Sequence, residues 1–156
     1  MNFRSATPSD AQALAGLIHF FQPILTLDPA GAGAEDFMAA VSEAAEREYI
    51  QSPRYDYIIA EEGNEIAGFI AIRDARHLFQ LFVAPRFQRK GLARALWNQA
   101  HARALAAGGT TEITVNASLN AVPVYERFGF VQVEEKVEKH GIAFIPMRRR
   151  EGQGDA

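Results

Sequence analysis

The stretch Gln88-Arg89-Lys90-Gly91-Leu92-Ala93 places two cations directly before a glycine, where a long helical pattern begins. A helix start leaves its first backbone N–H groups unpaired, and the aligned peptide dipoles make that end positive. An anion, above all a phosphate, is the natural guest of such a site. Gly91 carries no side chain to block close approach, Ala93 keeps the next turn slim, and Arg89 and Lys90 add charge. The segment reads as a pyrophosphate cradle. Alone, these residues would equally describe a turn with solvated charges. Their context favours the cradle: an apolar strand, Pro85, the spacing Gln88-x-x-Gly91-x-Ala93, then a long helix. Other phosphate loops do not fit, because there is no G-x-x-x-x-G-K-[ST] and no G-x-G-x-x-G followed by a ribose-binding acid.

The elements that must hold this cradle follow from periodicity and punctuation. Residues 1–6 alternate as a first strand, and Thr7-Pro8 opens a helix with Leu14, Leu17, Ile18 and Phe21 at helical spacing, stopping near Pro23. After the loop at residues 29–33, the pattern predicts a second amphipathic helix with Phe37, Val41, Ala44 and Ala45 on one side, ending before Pro53. Three strand-like runs come next, YDYIIAEE, EIAGFIAIRD and HLFQLFVA, the first two joined by Gly63-Asn64, a hairpin signal. From Gly91 to about residue 107 lies the longest helix, its buried arc formed by Leu92, Ala93, Leu96, Trp97, Ala100 and Ala104 and its end marked by Gly108-Gly109. TEITVNA is another strand, AVPVYERFG a short helix, and FVQVEEKVEK with IAFIPMRR a closing strand pair around Gly141. A strand–helix–strand crossover in the second half requires those two strands to run parallel, whereas the hairpins give antiparallel neighbours. The fold class is therefore α/β in the mixed sense (α+β): a mostly antiparallel sheet with helices on both faces.

Composition bounds the rest. At 156 residues, 48% apolar and 22% charged, the chain has the make-up of one ordinary globular domain, assigned to residues 1–150, with 151–156 as a polar tail expected to be disordered. A net charge of -3 argues against a general nucleic-acid binder. Without cysteine there is no disulfide, thiolate nucleophile or thiolate metal site, which fits a reducing cytoplasm; no metal is expected. The polar N-terminus does not read as a signal peptide, and no apolar run is long enough for a membrane span.

FVAPRFQRKGLARALW resembles the acetyl-CoA motif of the GCN5-related N-acetyltransferases, Q/R-x-x-G-x-G/A, and NASLNAVPVYERFGF resembles the second block of that family. Either block alone is common; the specificity lies in having both at this separation. The resemblance implies that the two parallel strands splay apart after a bulge and that the pantetheine arm of acetyl-CoA lies in the gap. It assigns backbone contacts to Leu81, Phe82 and Val83, the pyrophosphate to Gln88, Arg89, Lys90, Gly91, Leu92 and Ala93, with Arg94 nearby, and the opposite side to Asn116 and Asn120. Homodimers are common in the family.

Acetyl transfer to an amine needs a neutral nucleophile, a stabilised oxyanion and a proton for the leaving thiolate. The family places a tyrosine hydroxyl near the CoA sulfur, and Tyr125 occupies that position; its bland role is packing in the short helix. Many relatives carry a glutamate near the start of the motif strand, where this chain has His77. A histidine can accept a proton near neutral pH, but a polar strand end or a water relay would account for the position equally well. The acceptor pocket is expected from the first two helices, through His19, Phe20, Phe21 and Tyr49. His101 and Arg148-Arg149-Arg150 read as solvated. The leading reading is an N-acetyltransferase acting on a small amine or a peptide or protein amino group; the alternative is a non-catalytic acyl-CoA-binding sensor or regulatory module of the same fold.

Overall fold

Strands β2 (Tyr55–Glu62) and β3 (Glu65–Arg73) are buried through their middles, and alternation, shifted once by a bulge opposite Ala60 and Glu61, divides their side chains between two cores. Ile58, Ala60, Ile70 and Ile72 face one way, where they meet Leu96, Trp97 and Ala100 of α5 (Leu92–Ala106). Tyr57, Ile59, Phe69 and Ala71 face the other way, toward Leu14 and Ile18 of α1 (Ala11–Phe20). Each fully buried branched or aromatic side chain stabilises the sheet by about 1.5–3 kcal/mol. This two-sided burial explains why the strands read as continuous apolar runs.

The computed structural model describes residues 1–108 and 112–151. The remaining elements are β1 (Asn2–Ser5), α2 (Gln22–Leu25), α3 (Glu35–Ala40), α4 (Glu43–Gln51), β4 (His77–Val83), β5 (Glu112–Ser118), α6 (Val122–Arg127), β6 (Val131–Gln132), β7 (Val137–Lys139) and β8 (Ile142–Arg150). The sheet order is β1-β2-β3-β4-β5-β8-β6, with β7 also on β8. All pairs are antiparallel except β4 with β5, the pair joined through α5. The mixed sheet, the parallel pair and the helices on both faces agree with the sequence reading. The hairpin at Gly63-Asn64 is present, with Glu62 opposite Glu65 and Gly63 at φ 60°. Among the described residues no helix is long and apolar enough to cross a membrane.

Three expectations need correction. The single helix expected before Pro53 is two, because Ser42 leaves helical geometry (φ -72°, ψ 165°) and its side chain accepts the Ala45 N–H as an N-cap. The break resets the helical phase, so Ala44 is exposed and Glu46 is buried in its stead. The closing hairpin is three strands, with β6 on one end of β8 and β7 on the other. Finally, two side chains expected to be solvated are partly packed: Arg149 donates to the Phe128 carbonyl at 2.8 Å and lies over Trp97, and His101 stacks on Trp97 with its Nε2 2.9 Å from Glu151. The stop expected at Gly109, the strand start at Thr111 and the tail beyond residue 151 lie outside the described residues.

Candidate active site

β4 pairs with β5 only at His77–Thr114 and Leu78–Val115. One residue later, Phe79 is the extra residue of a bulge, since Ala71 faces Gln80 while Ile72 faces Leu78. A bulge bends and twists its strand. Past it, Leu81, Phe82 and Val83 stay paired with β3 and part from β5. Gly68 lets β4 and α5 sit close here: a Cβ on it would lie 2.7 Å from the Phe82 carbonyl oxygen and 3.4 Å from Leu96.

The chain then crosses a 3-10 turn at Pro85–Phe87, anchored by buried Phe87, and reaches the start of α5. Gly91 caps that helix in the left-handed region (φ 79°), and Arg89 is also left-handed (φ 62°). Nothing lies within 4 Å of where a Gly91 Cβ would be, so the helix end is open. Gln88 turns its carboxamide inward, Nε2 donating to the Val83 carbonyl at 3.0 Å. It thereby ties the loop to the strand.

Two cavities fill the gap between the splayed strands. The first, about 530 Å³, is lined by Leu81, Phe82, Val83, Gln88, Arg89, Gly91, Leu92, Ala93, Arg94, Asn120 and Tyr125 among others. Among the described residues, its charged lining side chains are Arg89, Arg94 and Arg127, with no carboxylate. Arg94 is braced by its hydrogen bond to the Arg127 carbonyl at 2.7 Å and lies over the Phe128 ring. The second, about 350 Å³, is lined by Tyr49, Arg73, His77, Phe79, Gln80, Asn116 and Phe144 among others. Leu25, Leu81, Phe82, Ser118, Ala121 and Tyr125 belong to both linings, so the cavities share one wall.

Thirteen of the fourteen residues expected at the site line one cavity or both; Lys90 lies outside both linings with its Nζ 5.9 Å from the Phe87 ring, and Asn116 faces the second cavity while Asn120 faces the first. Asn116 stands on β5, whereas Asn120 sits in the 3-10 turn that leads into α6. Of the helical residues expected in the acceptor pocket, Tyr49 lines the second cavity and Phe21 the first; His19 and Phe20 are exposed and line neither.

Tyr125 is buried, its ring set edge-on against Phe128 and Phe130. Burial raises the phenol above its ordinary range, so it stays protonated at neutral pH. Among the described residues its hydroxyl has no hydrogen-bond partner, and it belongs to the wall common to both cavities. His77 stands 2.7 Å through Nδ1 from the Thr114 hydroxyl at the end of the parallel pair. Burial, then the charge of Arg73, push it down to about 4. The near-neutral ionisation expected for it is therefore displaced, because β5 and Arg73 both oppose an imidazolium there.

A family model for the acetyltransferase (GNAT) domain matches residues 25–151. The chain belongs to the GNAT acetyltransferase family. An N-acetyltransferase of uncharacterised role from Escherichia coli (strain K12), YafP, is 37% identical over 78 residues, 49% of this chain and 47% of that protein. The match thus spans about half the length of the curated relative. Among solved structures, PaiA N-acetyltransferase from Thermoplasma acidophilum, in complex with coenzyme A, superposes with a TM-score of 0.74 at 18% identity, covering 96% of this chain and 98% of the other. A GCN5-related N-acetyltransferase from Rhodopseudomonas palustris does so with 0.73 at 22% identity, covering 96% and 94%. At these identities the likeness is one of fold.

Sequence reasoning missed several residues in or behind these cavities. Ile24 and Leu25 of α2 reach the first cavity, and Leu25 the common wall, because the chain kinks at Phe21 into a short second helix. The kink had a signal in Gln22-Pro23, read only as a stop. Arg127 and Arg73 carried none, since an arginine at a helix end or strand end is ordinarily solvated. Glu46 is fully buried behind Gln80, accepting from the Tyr57 hydroxyl and the Gln80 carboxamide, each at 2.8 Å. In the expected unbroken helix it lay off the apolar side.

Proposed function

We propose that this GNAT chain is an acetyl-CoA-dependent N-acetyltransferase that passes an acetyl group directly to a primary amine, both substrates being bound together. The observation that carries the reading is the common wall: two cavities in the gap between β4 and β5 meet at Leu81, Phe82 and Tyr125, the first bordered by Arg89, Arg94 and Arg127 and the second by Arg73, His77 and aromatic rings. The first cavity suits the cosubstrate. Its arginines and the open N-terminus of α5 match a pyrophosphate, and the free edge of β4 matches an amide-bearing arm. Acetyl-CoA would supply an activated acyl carbon as a thioester. No cysteine is available to carry the acetyl group, which suits direct attack.

In this reading Leu81, Phe82 and Val83 align the arm, and the arginine-lined mouth holds the phosphates. The Tyr125 hydroxyl, protonated and without a hydrogen-bond partner among the described residues, donates its proton to the departing thiolate. His77 stays neutral and holds its place against Thr114; at about 4 it is a weak base, so the ammonium proton leaves to water in the second cavity.

The depressed His77 is also the observation that favours the second reading, an acyl-CoA-binding module without turnover. Release of free thiol from acetyl-CoA against an amine panel separates the two. Tyr125→Phe tests the mechanism. It removes a hydroxyl that bonds to no described residue and keeps the ring contacts, so stability should change by less than about 0.5 kcal/mol. General acid catalysis is worth about 10²–10⁴-fold. The turnover number should therefore fall at least about tenfold with acetyl-CoA affinity kept. A turnover number within about twofold of wild type, on the order of 0.4 kcal/mol in barrier, with chemistry rate-limiting, would remove Tyr125 from the role.

A further inference from the structure

The second cavity has a chemical character that the transfer reading leaves unused. Its lining includes the rings of Phe37, Tyr49, Phe79, Phe82 and Phe144, with Val41 and Ile142 beside them. Among the described residues, the charged or titratable groups of that lining are Arg73, His77, Tyr49 and Tyr125, with no carboxylate. Burial raises both phenols, and His77, at about 4, is neutral at physiological pH. Arg73 is therefore the charge this lining presents.

The nearby acids do not cancel it. Asp74 is held by both ends of its carboxylate, Oδ1 3.0 Å from Arg54 Nε and Oδ2 2.8 Å from Arg54 Nη2, and reaches Arg73 only at 3.9 Å. Glu46 is screened from the cavity by Gln80 and Tyr57, which take both of its oxygens. Glu48 is exposed on α4 and acts on Tyr49 only through space. The Arg73 guanidinium stands 5.9 Å from the Phe79 ring and is about one-third exposed, at 35%. A guanidinium beside an aromatic wall fits a carboxylate attached to an apolar body. A polycation would find no counter-charge there.

Position refines the class. Arg73 pairs with His77, whereas the wall shared with the first cavity includes Leu81, four residues further along β4. At about 3.3 Å per residue that is roughly 13 Å of strand, which the Arg73 side chain shortens. The amine and the carboxylate of the acceptor must then stand at opposite ends of one molecule. A volume of about 350 Å³ lies at the small end for ligand pockets and suits a compact molecule.

Resting on the transfer reading above, we propose that the acceptor is a small primary amine joined through an aromatic or apolar body to a distal carboxylate, and that Arg73 is the residue that selects it. The probe is 4-(2-aminoethyl)benzoate, with its methyl ester and spermidine as comparisons. Binding is measured by calorimetry on the protein saturated with coenzyme A, and turnover by thiol release from acetyl-CoA. The acid should bind and react at least about tenfold better than the ester, the lower end for a charge-assisted hydrogen bond, and spermidine should trail both. In Arg73→Gln the acid and the ester should converge, and in Arg73→Glu the order should invert. Equal use of acid and ester by the wild type, preference for spermidine, or a preference that survives Arg73→Gln would overturn the proposal. Failure to bind the acid to the coenzyme A complex would overturn it too. Arg73-dependent binding of the acid without thiol release would sustain the selectivity while removing the transfer reading, so the two fail separately.

Discussion

Replacing Glu46 shows what its burial does. The side chain is fully buried, with Oε1 2.8 Å from the Tyr57 hydroxyl and Oε2 2.8 Å from Gln80 Nε2; the Tyr57 hydroxyl also stands 3.3 Å from Gln80 Oε1. Glu46→Ala strips the Gln80 amide of its acceptor and leaves Tyr57 one long contact. Each buried polar group left unmatched costs about 1–3 kcal/mol. Release of the carboxylate's desolvation offsets part of this, so the net loss should be about 3 kcal/mol. Glu46→Gln should cost less than about 1 kcal/mol at neutral pH, because a flip of the Gln80 carboxamide lets the introduced amide donate while its oxygen accepts from Tyr57. The pH dependence carries a sign. Desolvation raises the Glu46 carboxyl above its ordinary value of 4.5, outweighing the Gln80 and Tyr57 hydrogen bonds that lower it. A raised folded-state value means that the group favours folding fully below 4.5 and that this contribution fades as pH rises through the raised value. The wild type should therefore lose ground to Glu46→Gln between pH 4 and neutrality. Urea unfolding of the three proteins across that range gives the answer. Equal losses for the two variants, or a wild type that gains on Glu46→Gln as pH rises, would refute the network.

Two further tests concern the cradle and the histidine. Gly91→Asp puts negative charge at the open start of α5, where the Cβ meets nothing within 4 Å but φ is 79°; strain of about 1 kcal/mol should be tolerated while acetyl-CoA affinity falls at least about tenfold. Unchanged affinity by calorimetry in a folded variant would remove the cradle. For His77, burial and Arg73 hold the imidazole at about 4, so any acidic limb of the rate profile that it controls should fall there, and His77→Gln should abolish it. A limb near 6.5 that vanishes in that variant would show the imidazole to be more solvated than its packing against Thr114 implies.

The sequence by itself determined the sheet's class, its parallel pair, the long helix and the open glycine at its start. These rest on local rules: alternation within a strand, apolar spacing along α5, the handedness of a crossover, and a glycine where the backbone turns left-handed. Tyr125 was singled out by the resemblance of its block to the family, whereas its own spacing in a short helix spoke equally for packing. Only the tertiary structure decided which groups share an environment. Ser42 broke a helix that periodicity had joined, and so carried Glu46 into the core. The Phe79 bulge ended the β4–β5 pairing after two residue pairs and opened the wall where two cavities meet. Arg73 and His77 became cross-strand partners, and burial first and the charge of Arg73 second depress the basicity of the histidine. Burial and Coulomb coupling depend on what packs around a group from distant segments. No spacing within a single stretch of sequence records that.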